Sequence, residues 1–333
     1  MRNRLKRANT VIVEMGSSNI SILTEAGIVR EPSLAIVKRS HTLELIAYGH
    51  EAVKKIGQIP DHSYLIHPVE EGVVTNVEAM SLIIKDIFSK CLSSRFIDNV
   101  RVYVLIPCGL SIAERELMES TIVKAGRRDV TIIESMLGLL PYTNGGTLVA
   151  LFGAGVTELG VIDETGIVTG LTVNLAGETI NNDIKTMALE KYNLKISSAA
   201  AERLKMGIGT LYENDTSVME VIGQDLLDQK MRKIAIKADH IRPSITSMYK
   251  KHVEVLESLL TTIPTKTLAE VSENGVLIAG GGAEMRGLTD FLARYLHLPV
   301  KVAPRPAIAT IKGVELIVKD KTGKYDSILG NKR

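Results

Sequence analysis

Three glycine-rich turns, each directly after an apolar run, contain residue types that bind phosphate in proteins. Glycine lets the backbone turn tightly and approach a ligand closely, so that amide groups can face phosphate oxygens. The first two turns lie at matching points of two similar strand–turn–strand patterns, and the third is predicted to open a helix, whose free amides favour anions. The candidate ligand-binding residues are Glu14, Gly16, Ser17, Ser18 and Asn19 in the first turn, Gly153, Ala154, Gly155, Val156 and Thr157 in the second, and Gly280, Gly281, Gly282 and Ala283 in the third.

Charged residues add to these candidates. Glu14 is an acid in an otherwise apolar run directly before a glycine turn, which favours a site role over a solvated strand end. Glu202 and Lys205 stand three positions apart on a predicted helix, so they share a face and could reach a sugar and a base. A surface charge pair of the same spacing is the alternative.

Length and composition restrict the protein class. A chain of 333 residues predicts two domains, and a net charge of +2 argues against a general nucleic-acid binder. Cys91 and Cys108 match neither a metal site nor a disulfide framework. No apolar run reaches the roughly 18 residues that span a bilayer, and no apolar stretch of signal-peptide length follows the basic residues 1–7. We therefore expect a cytoplasmic protein.

Apolar periodicity predicts strands followed by helices twice along the chain, which indicates a mixed α/β sheet flanked by helices in each half. The turn Asn144-Gly145-Gly146 is the predicted hinge between the halves, and residues 215–238 are predicted to form a small sheet in a subdomain. The predicted helices include 77–92, 112–125, 134–142, 178–192, 198–208, 244–262, 266–272 and 285–297.

Further short motifs lie between the glycine turns. They are Tyr48-Gly49-His50-Glu51-Ala52, Pro68-Val69-Glu70-Glu71-Gly72-Val73-Val74, Ile106-Pro107-Cys108-Gly109, Ile133-Glu134-Ser135-Met136, Ala176-Gly177-Glu178 and Ala279-Gly280-Gly281-Gly282-Ala283-Glu284-Met285-Arg286-Gly287-Leu288. In this order they make nearly the whole chain resemble the bacterial actin-like cell-shape proteins of the MreB family. The resemblance implies the α/β fold of actin, sugar kinases and chaperone ATPases, with two related halves around a nucleotide cleft and a small subdomain on each.

The resemblance also implies boundaries and a ligand. The first half spans residues 1–145, with its small subdomain at about 32–66. The second half spans residues 146–333, with its small subdomain at about 181–244, and the segment at about 315–333 packs back on the first half. The implied ligand is ATP or ADP with Mg²⁺, which Glu14 contacts only indirectly.

The phosphate turns depart from the family pattern at the positions that hold the metal. Glu14 and Leu151 stand where each of the first two turns has an Asp in the family. Ser17 and Val156 replace threonines, and Ala154 replaces a glycine. A leucine side chain has no oxygen to hold a magnesium-bound water, and Mg²⁺ requires oxygen ligands in tight geometry.

Glu134 matches the family position that orients the attacking water. Catalysis of phosphoryl transfer is mostly positioning and neutralisation of charge by metal and donors. A water-positioning acid beside a poorly held metal predicts slow or absent ATP hydrolysis, so the chain is at most a weak ATPase.

Two surface features are candidates for contact with a membrane of anionic lipid. A basic N-terminal patch would gain around 1 kcal/mol per cation near such a surface, and a solvated tail is the alternative. An apolar pair lies where the resemblance implies a membrane-touching loop. The residues are Arg2, Arg4, Lys6 and Arg7 in the patch, and Phe96 and Ile97 in the pair.

The favoured interpretation is a cytoskeletal filament subunit that sets rod cell shape at the inner face of the cell membrane, with partners in cell-wall elongation implied by the resemblance alone. The alternatives are a hydrolysis-deficient paralogue that copolymerises with or regulates an active relative, a small-metabolite kinase of the same fold, and a chaperone-type ATPase. The missing acid at Leu151 argues against the kinase. A chaperone would carry a further substrate domain.

Overall fold

A computed structural model describes residues 9–92, 100–326 and 328–329. The described residues divide into two compact units. Unit 1 takes its residues from Met1–Pro141 and Thr310–Arg333, and unit 2 is Tyr142–Ala309.

Unit 1 is built on strands whose apolar side chains are buried between helices. Its strands are β1 (Asn9–Met15), β2 (Asn19–Thr24), β3 (Gly27–Pro32), β4 (Ala35–Arg39), β5 (Leu43–Tyr48), β6 (Ser63–Ile66), β7 (Val69–Glu70), β8 (Val73–Val74), β9 (Val100–Ile106) and β10 (Val130–Glu134). Its first helices are α1 (Gly49–Lys55), α2 (Val77–Cys91) and α3 (Ile112–Lys124).

The main sheet of unit 1 has the strand order β10-β9-β1-β2-β3, in which β9 and β10 run parallel to β1 and the hairpin β1–β2–β3 is antiparallel. The apolar side chains that recur along α2 at three- and four-residue steps are buried in one core with this sheet; they are Met80, Ile83, Ile84, Ile87 and Phe88. The side chain of Asn76 accepts a hydrogen bond from the Ala79 amide, which caps the start of α2. Strands β5-β4-β6 form a separate small sheet with α1 beside it.

Unit 2 repeats the pattern. Its strands are β11 (Thr147–Phe152), β12 (Thr157–Asp163), β13 (Gly166–Val173), β14 (Leu194–Lys195), β15 (Val218–Asp225), β16 (Met231–Lys237), β17 (Val276–Ala279) and β18 (Val300–Val302). Its helices are α4 (Gly177–Tyr192), α5 (Ser198–Ile208), α6 (Ala238–Leu260), α7 (Thr265–Asn274) and α8 (Leu288–Leu296), after which α9 (Ala309–Lys319) returns the chain to unit 1.

The main sheet of unit 2 has the order β13-β12-β11-β17-β18, again with an antiparallel hairpin on one side of the first strand and two parallel strands on the other. Strands β14-β15-β16 form a small antiparallel sheet. Because both main sheets share one topology, the predicted duplication of a mixed α/β half is confirmed.

The helices predicted at 134–142, 285–297 and 244–262 need correction. Residues 135–142 form a 3₁₀-helix, in which Pro141 has no amide to donate and Gly138 lies so close to the backbone of Thr310 that a Cβ would be 2.4 Å from its carbonyl oxygen. The third glycine turn opens the 3₁₀-helix Gly281–Glu284, and Gly287 in the left-handed region (φ +82°) separates it from α8.

Helix α6 begins at Ala238, six residues before the predicted start, and it includes Pro243. Ala238 and Ile241 are fully buried, so packing extends the helix through the proline. Within the described part of the chain, no helix is both long and apolar enough to cross a membrane.

Candidate functional site

The first two glycine turns close in the same way. The Gly16 amide donates to the Asn19 carbonyl at 2.9 Å, and the Gly153 amide donates to the Val156 carbonyl at 3.0 Å. A Cβ on Gly153 would be 2.5 Å from the Val156 oxygen, so only glycine fits this turn without a shift of backbone. Each turn joins the first two strands of its main sheet, as the sequence pattern predicted.

Glu14 is held at the end of β1, where its carboxylate accepts a hydrogen bond of 2.7 Å from the Thr310 hydroxyl. Burial raises the pKa of Glu14, while this hydrogen bond and the positive charge of Arg30 act in the opposite direction. Among the described residues, no Lys or Arg forms an ion pair with Glu14. A carboxylate that loses hydration and forms no ion pair among the described residues is suited to a site that receives a cation with its ligand.

Two hydroxyls of the first turn bond within unit 1. The Ser17 hydroxyl accepts a hydrogen bond from the Gly72 amide at 3.2 Å, and the Ser18 hydroxyl accepts one from the Asn19 side chain at 3.0 Å. The first of these bonds fixes the turn against the β7–β8 connection.

Glu134 ends β10 and forms an ion pair and hydrogen bond with the guanidinium of Arg115 on α3. The sequence placed Arg115 on a helix but gave no signal that it would contact Glu134. One lone pair of the expected water-positioning carboxylate is therefore already engaged by a cation.

The second turn is tied to the start of α4. The Gly177 amide donates to the Gly153 carbonyl at 3.1 Å, and the Glu178 amide donates to the Ala154 carbonyl at 2.8 Å. These bonds satisfy two of the amides that a helix N-terminus leaves free. Thr157 is fully buried, and its hydroxyl donates to the Leu175 carbonyl at 2.7 Å. This bond ties the end of the second turn to the segment before α4.

Lys205 and Glu202 lie beside this turn. The Lys205 ammonium donates to Glu202 at 2.7 Å and to the Gly177 carbonyl at 3.1 Å, and the amide of Asn181 donates to the same Glu202 carboxylate at 2.5 Å. The Lys205 side chain is 12% exposed and the Glu202 side chain is 42% exposed, so the pair is partly buried. Asn181 was not predicted, because its contact with Glu202 joins two different helices.

The third turn packs on the second. Gly280 has φ +82°, and a Cβ there would be 2.3 Å from the Phe152 carbonyl oxygen. A Cβ on Gly282 would be 2.7 Å from that of Phe152, whereas one on Gly281 would meet no atom within 4 Å. Ala283 is buried and closes the turn with its amide on the Gly280 carbonyl. Gly281 is thus the open position at which a ligand could approach the backbone.

A buried aromatic cluster supports these turns from helix α6. The Tyr249 hydroxyl donates to the Gly282 carbonyl at 3.1 Å, and Nε2 of His252 donates to the Leu175 carbonyl at 2.8 Å. Both rings make edge contacts with Phe152. Tyr249 follows the apolar periodicity of the predicted helix 244–262, which places it on the packed face, but nothing in the sequence indicated His252.

Burial lowers the pKa of His252 to about 4, against the effect of its hydrogen bond to Leu175. The ring is fully buried and Nδ1 has no partner among the described atoms, which fixes the neutral tautomer with the proton on Nε2. Burial also raises the pKa of Tyr249. The cluster is therefore uncharged at neutral pH.

The structure bears differently on the predicted membrane contacts and on the predicted metal site. The candidate membrane residues Arg2, Arg4, Lys6, Arg7, Phe96 and Ile97 lie outside the described residues. Within the described ranges, no group of three or more His, Cys, Asp or Glu side chains could hold a metal on its own.

Comparison with known proteins identifies relatives along nearly the whole chain. The sequence profile of the MreB/Mbl protein family matches residues 8–325. The cell shape-determining protein MreB of Escherichia coli K12 is 27% identical over 319 residues, which cover 92% of this chain and 92% of that protein.

Solved structures show the same architecture. MreB5 of Spiroplasma citri bound to AMPPNP superposes with a TM-score of 0.86 at 26% identity, covering 96% of this chain and 98% of that one. The MamK double helical filament superposes with a TM-score of 0.77 at 17% identity, covering 94% of this chain and 99% of that one. The fold is the actin-like α/β fold that the sequence resemblance implied.

Proposed function

The chain belongs to the MreB/Mbl protein family, and from this membership we propose that it is a nucleotide-binding, bacterial actin-like cytoskeletal protein that determines cell shape. The observation that carries the proposal is the pair of glycine turns closed by the same hydrogen bond at matching points of two duplicated sheets. The names of its relatives support it, because they include cell shape-determining proteins, an AMPPNP complex and a filament.

The residues present fit a nucleoside phosphate. The turns of Gly16 and Gly153 are tight enough to present backbone amides, and Gly281 leaves open backbone for the adenosine. Lys205 and Glu202 are fixed beside the second turn and are suited to the ribose and base.

Only the first of the two turns has an acid at the position expected to face Mg²⁺. Glu14 is a half-buried acid that forms no ion pair with a Lys or Arg among the described residues, and it suits a metal or its waters. Leu151, at the matching place in unit 2, supplies no oxygen. When bound, the metal would neutralise phosphate charge. Because Glu134 is also paired with Arg115, we infer that hydrolysis of ATP is slow and that nucleotide acts mainly by binding.

Assembly and location follow from the same membership. We propose that the chain forms filaments of its own kind in the cytoplasm, and that these lie on the inner face of the cell membrane and organise cell-wall synthesis. Weak contacts from Arg2, Arg4, Lys6, Arg7, Phe96 and Ile97 would add along a filament through avidity.

Co-sedimentation tests assembly and membrane binding together. The full chain is centrifuged without nucleotide, with ATP and with ADP, in the presence and absence of phosphatidylglycerol vesicles. We expect protein to pellet with ATP, and vesicles to be recruited in a way that is lost when residues 1–7 are removed and Phe96→Ser is introduced. Failure to pellet under every condition would contradict a self-assembling subunit.

A second candidate is a paralogue that copolymerises with an active relative and does not respond to nucleotide itself. Leu151 and the Arg115–Glu134 pair favour it, because both weaken the hydrolytic step. Pelleting that is equal with and without ATP, together with incorporation into filaments of an active MreB-family protein, would select this candidate.

A further inference from the structure

Glu202 is the accessible member of a hydrogen-bonded group whose other members are largely buried. One oxygen of its carboxylate, Oε2, accepts a bond of 2.7 Å from the Lys205 ammonium and one of 2.5 Å from the side-chain amide of Asn181. Asn181 is only 8% exposed and the Lys205 side chain is also largely buried, whereas the Glu202 side chain is more open. Two buried donors on different helices thus hold a carboxylate that a ligand can still reach.

The second oxygen of this carboxylate, Oε1, is left for another donor. Among the residues that the structure describes, none donates a hydrogen bond to Oε1 of Glu202. An ionised carboxylate is an acceptor with about four lone-pair sites, so it can take a donor from outside the chain in addition to the two on Oε2. Holding the side chain in place beforehand also lowers the entropy that is lost when such a donor binds.

The same group is joined to the second glycine turn. The Gly177 amide donates to the Gly153 carbonyl, and the Gly177 carbonyl accepts from Lys205 at 3.1 Å. A Cβ on Gly177 would be 3.0 Å from the Lys205 nitrogen and 3.5 Å from Cα of Ala154, so this glycine lets the ammonium approach the turn. Glu202 is therefore linked through Lys205 and Gly177 to the turn proposed to bind phosphate. The ribose is the part of a nucleotide that adjoins the phosphates, and its hydroxyls are donors that a carboxylate accepts.

Asn181 makes its bond to Glu202 at the expense of another hydrogen bond. Its side-chain oxygen Oδ1 is buried and has no partner among the described atoms. A buried acceptor without a partner destabilises a folded protein, whereas a leucine of similar shape would introduce none. With the amide turned the other way, the oxygen would face the carboxylate and the bond would be lost. Donation to Glu202 explains an asparagine at this position, and packing alone does not.

We propose that Asn181 is a positioning residue that gives the site its preference for a ribonucleotide, because it holds Glu202 so that Oε1 accepts a hydrogen bond from a ribose hydroxyl. The inference rests on the proposed binding of nucleotide. It makes discrimination of the sugar depend on a contact between α4 and α5.

The test compares the affinities of the full chain for ADP, 2′-deoxy-ADP and 3′-deoxy-ADP, measured by titration calorimetry. The wild-type chain should bind ADP about tenfold or more tightly than at least one deoxy analogue, because removal of the hydroxyl removes a hydrogen bond to a charged group. Asn181→Leu keeps the approximate shape of the side chain and should reduce this preference to about threefold or less. A purely structural role of Asn181 would instead weaken all three ligands by the same factor and leave the preference unchanged.

Matched variants complete the design. Asn182→Leu changes the exposed neighbour on α4 and should keep the preference. Glu202→Leu removes both acceptor oxygens and should abolish it. The double variant of Asn181→Leu with Glu202→Leu should lose no more preference than Glu202→Leu alone, because Asn181 acts through Glu202. If Asn181→Leu does not fold, Asn181→Ser, whose side chain is shorter by the amide group, takes its place in the same comparison.

The outcomes separate the two proposals. A wild-type chain that binds ADP overturns the role of Asn181 alone if it prefers ADP to neither deoxy analogue, or if its preference is unchanged in Asn181→Leu. A folded wild-type chain that binds none of the three nucleotides overturns the proposed nucleotide binding and this inference with it.

Discussion

At the scale of single residues, the candidate site combines positions that the sequence makes obvious with others that only the fold reveals. Gly16, Gly153 and Gly280 were predicted because a glycine directly after an apolar strand indicates a tight turn of the backbone. The partners Arg115 and His252 were not, since each contacts a residue on a different element. The sequence of a helix does not indicate which residue of another element a charged or aromatic side chain will contact.

His252 should make stability depend on pH. Its pKa is lowered to about 4 in the folded protein, below the ordinary 6.5, so the unfolded chain takes up a proton that the folded chain refuses. The stabilisation is complete above pH 6.5 and is lost as the pH falls toward 4. Between pH 7 and pH 5 the free energy of unfolding should decrease by about 2 kcal/mol from this group.

Urea unfolding at pH 7 and pH 5 measures this effect. His252→Gln keeps a donor for the Leu175 carbonyl but cannot take up the proton, so most of the pH-dependent loss should vanish in that variant. The exposed His41→Gln serves as control and should retain the loss. An identical pH dependence in the wild type and in His252→Gln would contradict the assignment.

At the scale of elements, the strands and long amphipathic helices were predictable, because their apolar periodicity is strong over many residues. Helix α2 is the clearest case, because its apolar residues recur at three- and four-residue steps and are buried except toward its end, where Cys91 is partly buried. The 3₁₀-helix at 135–142 was not predictable, because its form depends on the close approach of Thr310, far away in the chain. Helix α6 extends past Pro243 for a similar reason of packing.

The second glycine turn gives a prediction at this scale. Gly153→Ala would place a Cβ 2.5 Å from the Val156 carbonyl oxygen, so the turn must open and lose the hydrogen bond that closes it. We expect ADP affinity to fall by about tenfold or more, measured with a fluorescent ADP analogue. Gly57→Ala is the matched control, since no atom lies within 4 Å of its added Cβ. Equal affinity in both variants would show that the turn does not contact nucleotide.

At the scale of the whole molecule, the resemblance predicted the fold class and the family, and both are confirmed. Duplication makes this possible, because two halves of one topology place equivalent residues at equivalent points. The membrane contacts depend on residues outside the described ranges and stay predictions.

Binding of nucleotide is the claim on which the proposed function depends. Titration calorimetry of the purified wild-type chain with ATP and with ADP, each in the presence of Mg²⁺, measures it most directly. The glycine turns, Glu14 and the Lys205–Glu202 pair predict saturable binding with one nucleotide per chain. A folded chain that shows no binding heat with millimolar nucleotide would contradict the account, and the fold would then serve as a scaffold for assembly alone.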